Sequence, residues 1–241
     1  MPLTVVTGGG RGIGAAVAVR LAGEGHDLVL SYVRDRYAAE ATASRVRALG
    51  GGCVVVRADV SDPADVDALF DATAETGQVT GLVNNAGSTL HLGDLADTPV
   101  EVIRTVIDVN LTGAVLVARR AVRDMVAGGS VVNISSGAAT LGSPHEYVHY
   151  AAAKAGVDAL TLGLAQEVAP RGIRVNGVAP GLVRTGIHAA AGEPGRPERL
   201  APTVPMGRAG EPEEVAAAVA WLLGDECPYA TGTTLRVAGG R

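Results

Sequence analysis

The sequence predicts an α/β fold in which helices cover both faces of a mostly parallel sheet. Seven short runs rich in Val and Leu alternate with longer segments that carry helical periodicity. This alternation is typical of right-handed crossovers, which set consecutive strands in parallel. No linker divides the 241 residues, and the length suits one large α/β unit, so we expect a single domain over residues 1–241.

Local signals mark the individual elements. Asp62 followed by Pro63 predicts a capped helix start, and the segment from Thr98 to Glu101 reads as a capping box. An apolar helix is expected over residues 15–22. The predicted strands cover residues 3–7, 27–33, 53–57, 81–84, 130–135, 174–179 and 234–237.

Residues 186–205 form a long stretch without clear periodicity that is rich in Gly, Pro and Ala. A stretch of this kind in a compact domain is usually a functional lid or a mobile loop, and we interpret it as a lid over the substrate. Its candidate contact residues are Ile187, His188, Arg196 and Arg199. They either meet an acidic substrate or face solvent, and the ordinary exposure of arginine favours solvent.

Composition and charge exclude several classes of partner. The net charge is −5 and the basic residues are scattered, so no positive stripe follows a nucleic-acid backbone. The longest apolar run, residues 215–223, is far shorter than the roughly 20 residues that cross a bilayer. The N-terminus lacks the features of a secretion signal, and Cys53 and Cys227 have no metal or redox spacing. We expect a cytoplasmic protein with free thiols that binds neither nucleic acid nor membrane.

A glycine-rich turn, T-G-G-G-R-G-I-G, follows the first predicted strand from Thr7 to Gly14. Glycines at a strand-to-helix turn let backbone N–H groups and the helix N-terminus approach a pyrophosphate. The spacing G-x-x-x-G-x-G without a following lysine excludes a P-loop for nucleoside triphosphates. Taken alone, this turn could also be a connection that binds no ligand.

Polar residues end other predicted strands at the same sheet edge. Asp59 and Val60 follow the third strand, Asn84 to Gly87 close the fourth, and Ser135-Ser136 closes the fifth. Ligands of open α/β sheets bind beyond the carboxyl ends of the strands. A serine there could hydrogen-bond a reacting carbonyl oxygen, although Asn-Asn-Ala-Gly alone is often a turn and Ser-Ser a helix cap.

Tyr150 and Lys154 are spaced to lie on one helix face, one turn apart. An ammonium within about 4 to 6 Å favours the phenolate, so we expect Lys154 to bring the pKa of Tyr150 toward working pH. Such a phenol can donate a proton to a carbonyl or accept one from an alcohol. Lys154 is the single lysine among 20 basic residues, which favours a function that arginine cannot perform.

Together these residues closely resemble the short-chain dehydrogenase/reductase family. The match also includes Asn110, Pro180-Gly181 with Thr185, and residues 205–210 before an acidic helix start, so it covers essentially the whole chain. The resemblance implies a single Rossmann-type domain, a doubly wound parallel sheet with strand order 3-2-1-4-5-6-7, a nicotinamide cofactor and a homotetramer. It is nearest to 3-oxoacyl-carrier-protein reductases and sugar dehydrogenases.

The resemblance also implies residue roles. Tyr150 would be the general acid/base, Lys154 would bind ribose and lower the pKa of the tyrosine, Ser136 would orient the carbonyl, and Asn110 would support a proton-relay water. The cofactor-binding residues that it implies are Gly8, Gly10, Arg11, Gly12, Ile13, Gly14, Arg34, Asp59, Val60, Asn85, Ala86, Gly87, Tyr150, Lys154, Pro180, Gly181, Val183 and Thr185.

The sequence departs from the family pattern in two places. Ser136 lies 14 residues before Tyr150, where 13 is more common in the family, so the loop within 137–149 carries an extra residue. We choose Ser136 over Ser135 because the second serine of such a pair usually faces the pocket in this family. Ala238 stands where relatives often carry Asp.

The cofactor preference depends on charge at the adenosine ribose. An acid that closes the second strand would bind the 2′-hydroxyl of NAD and repel a 2′-phosphate. No acid precedes Asp35 here, and Arg34 and Arg11 can reach a phosphate, so we expect NADP(H), with NAD(H) as the alternative. Two solvated surface arginines are the competing interpretation.

The segment from His145 to His149 spells H-E-x-x-H, a zinc-protease motif. Pro144 precedes it directly and no third ligand is evident, so we expect no metal and do not favour a zinc hydrolase built on His145, Glu146 and His149. We expect these residues and Tyr147 to flank the substrate entrance instead.

The sequence thus predicts an NADP(H)-dependent oxidoreductase. It would transfer a hydride between nicotinamide and a ketone or secondary alcohol, either a 3-oxoacyl thioester or a small carbonyl compound. A sugar or polyol dehydrogenase of the same family and a non-catalytic NADP(H)-binding redox sensor remain alternatives. The complete set of Asn110, Ser136, Tyr150 and Lys154 favours the enzyme over the sensor.

Overall fold

The sheet has the predicted topology. The computed structural model describes residues 1–74 and 76–241, and its seven strands lie in the order β3-β2-β1-β4-β5-β6-β7. Every pair of neighbouring strands is parallel. The doubly wound Rossmann-type sheet and its strand order are therefore confirmed.

The strands also agree closely with the predicted segments, with ends that differ by at most two residues. Their bounds are β1 (Leu3–Val6), β2 (Asp27–Tyr32), β3 (Cys53–Arg57), β4 (Val79–Asn84), β5 (Ser130–Ile134), β6 (Arg174–Pro180) and β7 (Thr234–Val237). The α-helices of the described residues are α1 (Gly12–Gly23), α2 (Arg36–Ala48), α3 (Pro63–Asp71), α4 (Val100–Ile107), α5 (Gly113–Asp124), α6 (Ala138–Leu141), α7 (Val148–Val168), α8 (Ile187–Ala190), α9 (Arg196–Leu200) and α10 (Pro212–Leu223).

Two apolar cores lie on the two faces of the sheet. Alternation along β1 sends Val5 into one core, with Phe70 of α3 and Val117 of α5. Val6 belongs to the other core, where Leu21 of α1 and Val219 of α10 pack. Most side chains in both cores are aliphatic, as is usual for a parallel sheet that is buried on both faces.

One helix start was predicted wrongly. Asp62 caps α3 as expected, since its carboxylate accepts a hydrogen bond from the Ala64 N–H at 2.8 Å. No capping box forms at Thr98, because Pro99 takes the N-cap position of α4 and the Thr98 hydroxyl donates instead to the Asp94 carbonyl. The first residue of α4 is therefore Val100.

Residues 186–205 contain more regular structure than their sequence indicates. They hold the short helices α8 and α9 and a 3₁₀ turn at Ala201–Thr203. Helices of four and five residues are too short to show a periodic apolar face. In the part of the chain that the structure describes, no helix has both the length and the apolar character needed to cross a membrane.

Candidate active site

The site lies where the strand order reverses, between the carboxyl ends of β1 and β4. The turns that follow these two strands are tied together. The Thr7 hydroxyl accepts hydrogen bonds from the backbone N–H groups of Asn85 (2.9 Å) and Ala86 (3.0 Å). The Asn85 amide group donates to the Thr7 carbonyl at 2.8 Å. In the sequence, Thr7 is noted only as the first residue of the glycine-rich motif. The structure shows that Thr7 positions the turn after β4 at this switch point.

The glycine-rich turn leaves space and free donors beside the start of α1. Gly8 and Gly12 adopt left-handed backbone conformations (φ of 64° and 53°), which favour glycine. A Cβ at Gly14 would lie 2.6 Å from the Asn85 amide nitrogen and would also clash with the Gly8 carbonyl oxygen. No side chain caps α1 at Arg11, so its first N–H groups are open to an anion. This geometry fits a pyrophosphate.

The other residues predicted to bind the cofactor lie around this edge in several environments. Arg11 and Arg34 are exposed, and the Asp59 carboxylate accepts hydrogen bonds from the backbone and hydroxyl of Ser61. Thr185 lies close to Gly12, since a Cβ on that glycine would be 3.4 Å from its side chain. The remaining predicted residues at the edge are Val60, which is buried after β3, Pro180 and Gly181 at the end of β6, and Val183, which is buried and bridges to Gly210.

Ala238 has a structural explanation. A Cβ at Gly181 would lie 2.8 Å from the Ala238 Cα and Cβ atoms, so the backbones after β6 and β7 approach closely. The small Ala238 side chain suits this contact.

Asn110 lies in a π-helical turn, Asp108–Thr112, between α4 and α5. Such turns occur often at functional sites. Asn110 is fully buried, and its amide group donates to the carbonyls of Ser88 (2.7 Å) and Val106 (2.8 Å). A Cβ at Gly87 would lie 2.7 Å from the Asn110 side-chain oxygen and 3.5 Å from Lys154 Nζ. Asn110, Gly87 and Lys154 therefore meet at the end of β4.

Tyr150 and Lys154 lie in the first two turns of α7 and are both buried. Lys154 Nζ lies 5.7 Å from the centroid of the Tyr150 ring and donates a hydrogen bond to the Ile134 carbonyl at 2.8 Å. The Ile134 carbonyl thus anchors the ammonium at the end of β5. The two side chains lie close together, as their spacing predicts.

The two serines after β5 face different partners. The Ser135 hydroxyl donates to the Lys154 carbonyl at 3.3 Å, which ties the strand to the back of α7. Ser136 hydrogen-bonds Tyr150 and also accepts from the Ala138 N–H at 3.1 Å. The arrangement therefore favours Ser136 over Ser135 as the hydroxyl beside the phenol.

The pKa of Tyr150 shifts in the direction opposite to our expectation. Burial raises this pKa above its ordinary value of 10.0, and the hydrogen bond with Ser136 only partly opposes the effect. Burial also lowers the pKa of Lys154 to about 8. Removal from water is the largest cause of the shift at both groups, because each loses hydration when it carries charge. Near neutral pH the phenol therefore keeps its proton.

The loop before α7 is strained. Ser143 and His145 have positive φ angles of 47° and 61°, which residues with a Cβ seldom adopt. The extra residue between Ser136 and Tyr150 falls in the segment that contains this loop. The loop packs against the segment after β4, where the Gly93 N–H donates to the Glu146 carbonyl at 2.8 Å.

The two histidines of the H-E-x-x-H segment lie in different environments. Its first histidine, His145, precedes α7, lies exposed and pairs with Asp94 at 2.8 Å. Its second, His149, is buried in α7. Within the described residues, no three His, Cys, Asp or Glu side chains are grouped to hold a metal ion.

Arg196 corrects the expectation that the arginines of residues 186–205 face solvent. Its side chain is only 4% exposed and pairs with Glu146 at 2.6 Å and Glu193 at 3.4 Å. Arg199 does lie largely in solvent, although it also pairs with Glu193. Sequence reasoning missed Arg196 because its main partner, Glu146, lies 50 positions earlier in the chain.

Two clefts border residues 186–205. The first has a volume of about 690 Å³ and includes Gly12, Thr42 and Thr185 beside the glycine-rich turn. The second has a volume of about 570 Å³ and includes Leu92 and Glu146. Residues 186–205 therefore lie between the cleft at the glycine-rich turn and the cleft at the loop before α7.

A glycine-rich turn that fits a pyrophosphate, together with a buried phenol, an ammonium and a hydroxyl, is the arrangement of a dinucleotide-dependent oxidoreductase. Comparison of the chain with known proteins agrees with this class. A family model described as enoyl-(acyl carrier protein) reductase matches residues 8–241. The chain belongs to the short-chain dehydrogenase/reductase family.

Relatives are similar over almost the whole chain. A 3beta-hydroxysteroid dehydrogenase 1 from Eggerthella lenta is 45% identical and covers 98% of this chain and 92% of its own. A 3-oxoacyl-[acyl-carrier-protein] reductase from Synechocystis sp. is 38% identical, with 99% and 96% covered. A short-chain dehydrogenase from Burkholderia cenocepacia J2315, solved in complex with NADP, is 34% identical with a TM-score of 0.93 and covers 99% of this chain and 97% of that one.

Proposed function

We propose that the protein is an NADP(H)-dependent reductase of ketones that also oxidises the corresponding secondary alcohols. One observation carries the proposal: Tyr150, Lys154, Ser136 and Asn110 converge at the carboxyl edge of the sheet, next to the glycine-rich turn. A binding protein without catalysis would have no need for a buried phenol beside a buried ammonium. We therefore favour the enzyme over the redox sensor.

In this proposal the chain supplies the proton and the charge stabilisation. The Ser136 hydroxyl donates a hydrogen bond to the carbonyl oxygen, and the Tyr150 hydroxyl transfers its proton to that oxygen. Lys154, held by the Ile134 carbonyl, stabilises the negative charge that forms on the phenol oxygen. The reduced nicotinamide, when bound, supplies the hydride.

The protonated state of Tyr150 suits the reductive direction. At neutral pH the phenol is protonated and ready to act as an acid. Alcohol oxidation needs the phenolate, so its rate should rise more steeply with pH than the rate of reduction. Asn110, which is held by the Ser88 carbonyl, supports a proton-relay water that returns a proton to Tyr150.

The preference for NADP(H) rests on charge at the end of β2. Arg34 follows this strand, Arg11 lies in the glycine-rich turn at the N-cap of α1, and both are exposed. A guanidinium binds a phosphate with two parallel hydrogen bonds, which suits a ribose 2′-phosphate. Replacement of Arg34 by Ala should lower the ratio of NADPH to NADH efficiency by about tenfold.

The wider organisation is also part of this proposal. Residues 1–241 act as one catalytic domain, with residues 186–205 as a lid that borders both clefts. Exposed apolar side chains on α4 and α7, Val100 and Leu162, offer surfaces for the homotetramer that the family resemblance implies. The substrate is a 3-oxoacyl thioester or a small carbonyl compound, in a cytoplasmic setting.

The decisive experiment follows absorbance at 340 nm with NADPH and NADH in parallel. The substrate panel contains 3-oxoacyl thioesters, diketones, cyclic ketones, 3-oxosteroids and sugars, and Tyr150→Phe is the inactive control. Turnover with NADPH that is lost in the variant supports the proposal. Equal or better efficiency with NADH contradicts the cofactor preference, and tight NADPH binding without turnover of any ketone contradicts the enzyme.

A further inference from the structure

We propose that Arg196 is a positioning residue that fastens residues 186–205 to the loop before α7 and so fixes the wall beside Tyr150. This inference rests on the proposed ketone reductase, which the lid would serve. In this inference, the contact that joins the lid to the loop before Tyr150 is made by Arg196.

Arg196 joins two parts of the chain that are distant in sequence. One terminal nitrogen, Nη2, donates to the Glu146 carboxylate at 2.6 Å and to the Tyr147 hydroxyl at 3.1 Å. The other, Nη1, donates to Glu193 within the lid itself at 3.4 Å. The guanidinium therefore holds one carboxylate from each side.

The contact reaches Tyr150 through one aromatic ring. The guanidinium carbon of Arg196 lies 5.2 Å from the centroid of the Tyr147 ring, within the range of a cation–π interaction. The Tyr147 ring meets the Tyr150 ring edge to face, with centroids 5.3 Å apart and planes at 84°. A lid that moves away would release the Tyr147 hydroxyl and leave this ring free to turn.

The burial of Arg196 makes its ion pairs important for the position of the lid. An exposed ion pair contributes little, but loss of one partner from a buried pair leaves an uncompensated charge. The Arg196 side chain is 4% exposed, whereas that of Arg199, in the same helix and also paired with Glu193, is 56% exposed. Arg199 is therefore a matched control for charge, segment and partner.

The proposal requires two properties to change together. In Arg196→Gln, hydrogen–deuterium exchange of the protein without ligands should accelerate by about tenfold in residues 186–205 and in residues 143–150. The KM for the ketone should rise by about tenfold, while kcat falls less than about threefold and the KM for NADPH changes less than about twofold. In Arg199→Gln, whose side chain lies largely in solvent, exchange of residues 143–150 should stay within about twofold of wild type.

A second pair of variants separates positioning from a general loss of structure. Tyr147→Phe removes one hydroxyl and should raise the ketone KM by about threefold. In the double variant with Arg196→Gln the two effects should not multiply, because both remove the same contact. Equal thermal midpoints for Tyr147→Phe and wild type would exclude misfolding as the cause.

Three results would overturn the proposal. They are unchanged exchange in residues 143–150 of Arg196→Gln, an equal acceleration of that exchange in Arg199→Gln, and fully multiplicative effects in the double variant. If wild type reduces no ketone, the proposed function fails, yet the exchange measurement still decides whether Arg196 fastens the lid.

Discussion

The two sides of the sheet edge are built by different means. On the side of the glycine-rich turn, the site consists of backbone N–H groups, left-handed glycines such as Gly8 and close approaches such as that at Gly14. On the side of the loop before α7, it consists of side chains, namely Glu146, Tyr147 and Arg196, that come together from distant segments. The first side is built mainly of backbone, and the second is built of side chains from distant segments.

This difference explains what each side can vary. A pyrophosphate is the same in every dinucleotide, so a rigid backbone cradle suits it. Substrates differ within one family, and loops with adjustable side chains change most readily. The strain at Ser143 and His145 lies on the variable side, as does the extra residue before Tyr150. We expect variants on the two sides to affect different kinetic constants.

The largest effect should come from Tyr150→Phe, between the two sides. Loss of the general acid should lower kcat/KM for the ketone by at least about 100-fold. The dissociation constant for NADPH, measured by fluorescence, should change less than about twofold, because the ring remains. A variant that keeps most of its activity would show that the proton comes from another group.

Lys154 should make stability depend on pH. Burial lowers its pKa from 10.5 to about 8, so between these values the unfolded chain binds a proton that the folded chain does not. The free energy of unfolding should therefore rise with pH in this window, by on the order of 3 kcal/mol in total.

The comparison with Lys154→Met isolates this effect. Burial raises the pKa of Cys53 from 9.0 to about 11, which lowers stability as pH rises through that interval. This opposing contribution cancels in the difference between wild type and variant. Urea unfolding at pH 7.5, 8.5 and 9.5 measures the difference, and a difference that is independent of pH contradicts the prediction.

Gly14→Ala should damage the backbone cradle alone. The added Cβ would meet the Asn85 side chain and the Gly8 carbonyl, so we expect a loss of about 2 kcal/mol in the free energy of unfolding. NADPH should bind at least about tenfold more weakly. The ketone KM, extrapolated to saturating NADPH, should remain near wild type.

Gly23→Ala is the matched control in the same helix. A Cβ at Gly23 meets nothing within 4 Å, and alanine favours helix over glycine. This variant should be as stable as wild type or more stable by up to about 1 kcal/mol. Equal destabilisation of the two variants would mean that the close approach at Gly14 is not responsible.

The same difference between the two sides decided what the sequence could predict. The spacing of Tyr150 and Lys154 and the glycine-rich turn are local patterns that were recognisable, whereas the strand order was expected from the family resemblance that these motifs carry. The burial of Arg196 and the absence of a side-chain cap at Pro99, the N-cap of α4, depend on contacts that spacing does not reveal. The direction of the pKa shift of Tyr150 depends on how deeply the ring is buried, which the spacing of two residues does not determine.

The smallest effect should come from His145→Ala, on the substrate side. The side chain is 84% exposed and pairs with an exposed Asp94, so the free energy of unfolding should change by less than about 0.5 kcal/mol. Activity should resist a zinc chelator in both wild type and variant, because Glu146 is engaged by Arg196 and His149 is buried. Stoichiometric zinc that is lost in His145→Ala would instead make this loop a metal site, and the substrate side would then be fixed by coordination rather than by ion pairs.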